Sequence, residues 1–169
     1  NTSIINMDTF KHKHFNDNAN ILSNNPYHYY HERPKMVEMK SKAKEMYPDE
    51  GNNETIFIGI CSYRDEECIY TVLNIFETAL YPDRLRIGIF QQNNISDSDC
   101  TDFFNYINCD INIPKPIHPI CGRQWQIKIS RIHFSDAKGP MYGRYRTELF
   151  YNNEDYALQI DSHTRMVPT

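Results

Sequence analysis

Asp161, Ser162 and His163 place a carboxylate and an imidazole two residues apart, directly after the apolar run Tyr156-Ala-Leu-Gln-Ile160. At a strand end both side chains can turn toward one cation, and that ligand pair suits Mn²⁺ and similar ions better than Ca²⁺. A cation held there would neutralise a diphosphate and stabilise it as a leaving group. A lone Asp-x-His triplet is also what a solvated loop looks like, so its neighbours matter. Arg144 follows Gly139-Pro140 by one helical turn. A helix N-terminus with an arginine suits an anion, whereas the plainer reading is a surface ion pair. Ser62, Tyr63, Arg64 and Asp65 form a second polar cluster after another apolar run. Asp65 there also reads as the cap of a following helix.

Other chemistries find little support. There is no G-x-G-x-x-G and no Walker pattern, which argues against dinucleotide-binding and P-loop readings. No nucleophile elbow is present. Cys61 follows a strand and could in principle pair with His118 or His133, but nothing else points to a cysteine nucleophile. The five cysteines include no C-x-x-C pair, so a structural zinc site is not expected. Reduced, partly buried thiols are expected, with one or two disulfides as the alternative. Asn1, Asn53 and Asn94 sit in N-x-S/T sequons, which matter only on the secretory route.

The elements that must position these groups can be read from periodicity. Residues 1–53 are polar and Asn-rich and read as an arm or stem, with an aromatic-rich segment at 26–31 and a short helix over 34–48. An ordered domain is expected over 54–169. Ile56-Phe-Ile-Gly-Ile60 reads as a strand buried on both faces. Ile69, Val72, Leu73, Phe76, Ala79 and Leu80 lie on one helical face until Pro82 stops it. Leu85-Arg-Ile-Gly-Ile-Phe90 reads as a second strand, with Gln91 to Asn94 as the loop beyond it. Cys100, Phe103, Phe104 and Ile107 suggest a second helix capped by Ser98 or Asp99, and residues 108–121 look irregular. A third strand is expected from Trp125 to Phe134. A third helix opens at Gly139-Pro140 with Met141, Tyr145 and Leu149 as its apolar stripe. Tyr156 to Ile160 is the last strand. The β-α-β-α-β-α-β order predicts an α/β fold, a mostly parallel sheet with helices on both faces. Ligands of such sheets bind beyond the carboxyl ends of the strands, where the polar clusters fall.

Net charge is −4, which supplies no general attraction for nucleic acid. No run of about 20 apolar residues is present, so no membrane span is expected.

Four segments together resemble one known family. They are Ile56-Phe-Ile-Gly-Ile-Cys-Ser-Tyr-Arg-Asp-Glu-Glu-Cys68, Ala79-Leu-Tyr-Pro-Asp-Arg-Leu-Arg-Ile-Gly-Ile-Phe-Gln-Gln92, Asp136-Ala-Lys-Gly-Pro-Met-Tyr-Gly-Arg144 and Leu158-Gln-Ile-Asp-Ser-His163. In this order they resemble the hydroxyproline-linked N-acetylglucosaminyltransferases, which modify the small adaptor subunit of SCF-type ubiquitin ligases. The resemblance covers about residues 54–166. It implies a GT-A-type, Rossmann-like fold and UDP-N-acetylglucosamine as donor. It also implies a divalent cation (Mn²⁺ first, Mg²⁺ as the alternative), retention at the anomeric carbon, a protein acceptor and a cytoplasmic location. The sequons leave the secretory route open. Carried over by position, Asp161 and His163 would hold the metal and Asp161 would also meet the diphosphate. Ser62, Tyr63 and Arg64 would belong to the uridine pocket, and Arg144 would contact the donor phosphate or uridine.

Two departures stand out: Gly143 replaces the usual Ala before the Arg, and Met166 follows Arg165 where an aromatic is commoner. The family's downstream half would hold the remaining metal ligand and the acceptor groove. The chain by itself is therefore expected not to complete catalysis, and its catalytic base or nucleophile is not named by these residues. Mucin-type polypeptide N-acetylgalactosaminyltransferases also use Asp-Ser-His and form one alternative. A non-catalytic binding fragment forms another.

Overall fold

The apolar run after Glu54 is rich in isoleucine and phenylalanine, which suits a strand covered on both sides. It forms β1 (Ile56–Tyr63). The computed structural model describes residues 33–46, 53–110, 112 and 118–167. The aromatic segment 26–31 and most of the polar arm lie outside these residues. Within the arm, α1 (Arg33–Met46) is described. Its Ala43 is buried, and its Lys40 donates a hydrogen bond to the Glu77 carbonyl.

Three strands pair with or beyond β1, all parallel: β2 (Leu85–Asn93), β3 (Ile127–His133) and β4 (Tyr156–Asp161). The sheet order is β3-β2-β1-β4. The chain therefore runs outward from β1 through β2 to β3, then returns to the other side of β1. That reversal creates a crevice at the carboxyl ends of β1 and β4, where open α/β sheets bind ligands. The expected α/β architecture is present, with a helix on each face.

On one face, α2 (Cys68–Thr78) lays Ile69, Val72, Leu73 and Phe76 onto Ile58, Ile60, Ile87 and Ile89. The helix ends at Thr78, and Ala79 is already extended. Ala79 and Leu80, read as helical from their spacing, thus fall past its end. On the opposite face, α3 (Pro140–Glu148) packs on β1 and β2. Its expected apolar stripe does not face the core: Met141, Tyr145 and Leu149 are 74%, 55% and 59% exposed. Gly143 and Thr147 are the buried positions instead. The reason is steric. Gly59 and Cys61 stand against this side of the helix, and only small residues admit so close an approach.

Other boundaries also move. Gln91, Gln92 and Asn93 belong to β2 rather than to a loop, because each has a register partner on a neighbouring strand. The helix expected across Cys100 to Ile107 is a single 3₁₀ turn at Phe103–Asn105. Short 3₁₀ turns at Gln124–Gln126 and Phe134–Asp136 replace the two ends of the expected third strand. The expectation of reduced thiols is corrected: Cys68 joins Cys100 and Cys109 joins Cys121, leaving Cys61 free. The loop after β2 folds back onto the start of α2 and brings the first pair together, a proximity that spacing along the chain does not reveal. Among the described residues no helix is long and apolar enough to cross a membrane.

Candidate functional site

Cys61 of β1 stands opposite Asp161 of β4, so the two strands leave the sheet side by side. Between their ends and the start of α3 lies a cleft of about 510 Å³, within the size range of small-molecule sites. Its walls include Tyr63, Asp65, Arg144, Asp161, Ser162 and His163. Cys61 and Gln92 also line it, on the α3 side of the sheet.

Arg144 reaches the cleft because Gly139 takes a left-handed φ of 84° and Pro140 then starts the helix. Its guanidinium donates to Asp161 Oδ1 at 3.1 Å. Both side chains are about half exposed, so the pair contributes little to stability by itself. What it does is hold a carboxylate and a cation against one another at the cleft wall.

The loop after β4 is tied to α2. Thr71 Oγ1 donates to the Ser162 carbonyl at 2.5 Å, and Arg165 donates to Thr71 Oγ1 and pairs with Glu67. The Met166 amide donates to Asn74 Oδ1 at 2.6 Å. Thr71 and Asn74 are buried within an otherwise apolar helix face. Met166 packs on the core, so a side chain smaller than the expected aromatic fits there.

Asp65 joins the two halves of the site. One of its oxygens accepts the Glu67 amide at 2.9 Å, steadying the turn into α2. The other lies 2.5 Å from Ser162 Oγ and 3.2 Å from His163 Nδ1. Burial pushes its carboxyl upward, but the hydrogen bonds from Ser162, Glu67 and His163 outweigh this and hold it below the usual range. Asp65 is not the helix cap expected from the sequence: Glu67 holds that position, and Asp65 accepts its amide from two residues earlier. The bridge to Ser162 and His163 has no local signal, because these partners lie almost a hundred residues away.

The structure separates the remaining sequence candidates. Tyr63 is half exposed and lines the cleft. Ser62 does not: it is fully buried on the α2 side of β1, and its hydroxyl has no hydrogen-bond partner. Alternation along the strand sends Ser62 and Tyr63 to opposite faces. Arg64 also turns away. Its φ is 49°, and its amide donates to the Gln92 carbonyl and to Asn93 Oδ1. Its guanidinium grips Asp97 and stacks 4.6 Å over the Phe134 ring. Neither Ser62 nor Arg64 forms part of the cleft wall.

Burial pushes the Cys61 thiol up, Arg144 pulls it down and Asp161 pushes it up again, leaving it above the ordinary value. Neither His118 nor His133 lines the cleft with it. Gln92, expected in the loop after the second strand, lies within β2. It is buried, and its Nε2 donates to the Ser62 carbonyl at 3.3 Å.

Asp161 and His163 thus share one cleft, and their donor types suit a divalent cation. Asp161 already faces a positive charge from Arg144. Among the described residues no cluster of three or more His, Cys, Asp or Glu side chains is arranged to hold a metal.

A family model described as Glycosyltransferase (GlcNAc) matches residues 55–114 and 107–169, together more than half of the chain and all of the sheet. No curated protein and no solved structure gave a significant match.

Proposed function

The chain belongs to the glycosyltransferase (GlcNAc) family, and from that premise we propose that the cleft binds UDP-N-acetylglucosamine with a divalent cation. The observation that carries this reading is the meeting of Asp161, His163 and Arg144 on one cleft at the crevice between β1 and β4. Mn²⁺ is the cation that the carboxylate-imidazole pair suits best, with Mg²⁺ second. When bound, it would act as a Lewis acid on the diphosphate leaving group.

The chain's own residues do the rest. Asp161 and His163 would hold the cation. The Arg144 guanidinium, which now meets Asp161, has further N–H donors and would bond phosphate oxygens. Tyr63 offers an exposed ring as a wall for the nucleoside. The sugar would pass to a hydroxyl of a protein acceptor. The sequence resemblance supports a hydroxyproline, on an SCF-type adaptor. The cytoplasm follows from the same resemblance, whereas two cystines support an oxidising, secretory compartment. Non-reducing mass spectrometry of protein from its native source would separate the two.

Calorimetry with UDP-N-acetylglucosamine, with and without Mn²⁺, tests the donor site. Mn²⁺-dependent binding that Asp161→Ala abolishes is expected. Equal binding without metal by a folded chain would sink the assignment. UDP-N-acetylgalactosamine in the same titration separates this donor from that of the mucin-type enzymes.

A further inference from the structure

Asp65 accepts from the turn into α2 with one oxygen and faces both Ser162 and His163 with the other. Sharing a single oxygen between residues 162 and 163 places their loop against the end of β1. An aspartate carboxylate can only accept hydrogen bonds. A ring nitrogen 3.2 Å from it must then be the one that carries the proton. In neutral His163 that nitrogen is Nδ1, which leaves the lone pair on Nε2. The imidazole is otherwise two-thirds exposed, so little else limits its rotation.

We propose that Asp65 is the positioning residue of the cation site: it fixes the ring of His163 and presents Nε2 as the ligand atom. The inference rests on the metal reading of Asp161 and His163 given above. Carboxylates that accept from the distal nitrogen of a ligating histidine set its tautomer and basicity, and their loss costs about 10–100-fold in metal affinity. Asp65 touches no reacting group itself. Its place in the first turn after β1 explains how a residue that reads as a helix cap can also serve the far side of the cleft.

The test uses two variants of the whole chain. Asp65→Ser can still accept the Glu67 amide but is too short to reach His163. Asp65→Asn keeps the size and removes the charge. Nitrogen-15 NMR of the metal-free proteins reads the His163 tautomer, and calorimetry reads Mn²⁺ affinity in the presence of UDP. The wild type is expected to hold the proton on Nδ1. Both variants should shift the population toward the Nε2-protonated form and bind Mn²⁺ about 10–100-fold more weakly. A purely structural role would lower stability without moving the tautomer. An Nε2-protonated wild type, or a folded variant that binds Mn²⁺ as tightly as wild type, overturns the inference alone. No Mn²⁺ binding by the wild type overturns the metal reading and this inference with it. Should Asp65→Ser not fold, Asp65→Asn carries the same two readouts.

Discussion

Gly143 of α3 sits so close to Cys61 of β1 that a Cβ at position 143 would overlap the Cys61 sulfur. The contact joins a helix to the strand beneath it at the floor of the cleft. An extra methyl in a packed interior costs about 1–3 kcal/mol, while replacing a helical glycine by alanine returns roughly 1 kcal/mol. Gly143→Ala should therefore lower stability by about 1 kcal/mol in urea denaturation. Adding Cys61→Ala should restore it. A stabilised single variant would mean that the helix shifts freely over the sheet.

Charge at the cleft can be read through the same cysteine. Arg144 lowers the Cys61 thiol pKa and Asp161 raises it, on top of the larger upward push of burial. Arg144→Ala should remove the lowering influence and slow alkylation of Cys61 at fixed pH. Asp161→Ala should speed it. Iodoacetamide kinetics followed by mass spectrometry checks both signs, and equal rates in all three proteins would place these charges away from the thiol.

Asp99 links β2 to β3. Its carboxylate accepts from Gln91, Thr101 and Arg131. Burial pushes the group up, but Arg131 and Thr101 pull it down to about 2. A depressed carboxylate contributes stability above its unfolded value near 4, and loses it as pH falls toward 2. The contribution is on the order of 2 kcal/mol near neutrality. Asp99→Asn should lower stability at pH 6 by that order, and the difference from wild type should shrink by pH 2. A difference independent of pH would show that packing, not charge, is what Asp99 contributes.

The Cys68–Cys100 bond ties the start of α2 to the loop after β2, across 32 residues. In the loop-entropy account such a closure is worth roughly 3–4 kcal/mol. Replacing both cysteines by alanine should lower the urea midpoint accordingly. It should also loosen the turn that holds Asp65, and so weaken Mn²⁺ binding with UDP. Unchanged stability would mean that the pair is reduced in the native protein.

Much of the fold was legible because its signals are local. Apolar runs ending at polar clusters marked β1 and β4, a three-four spacing marked α2, and Gly139-Pro140 marked the start of α3. The position of Asp161 and His163 at the end of β4 was legible too, since the strand and its polar end are marked within a few residues. The extent of β2 was not, because Gln91 and Gln92 are polar yet buried through partners on other segments. The face of α3 was misread for a related reason: its exposed Met141, Tyr145 and Leu149 look like a core stripe until the sheet surface of Gly59 and Cys61 is known.

By itself, then, the sequence determined the order of elements, the parallel class of sheet and the residue types at two strand ends, because each depends on neighbours along the chain. Only the tertiary structure decided that β4 returns beside β1, that Ser62 and Arg64 turn away from the cleft, and that Asp65 reaches His163. Those outcomes depend on pairings between segments up to a hundred residues apart, whose geometry no local spacing encodes.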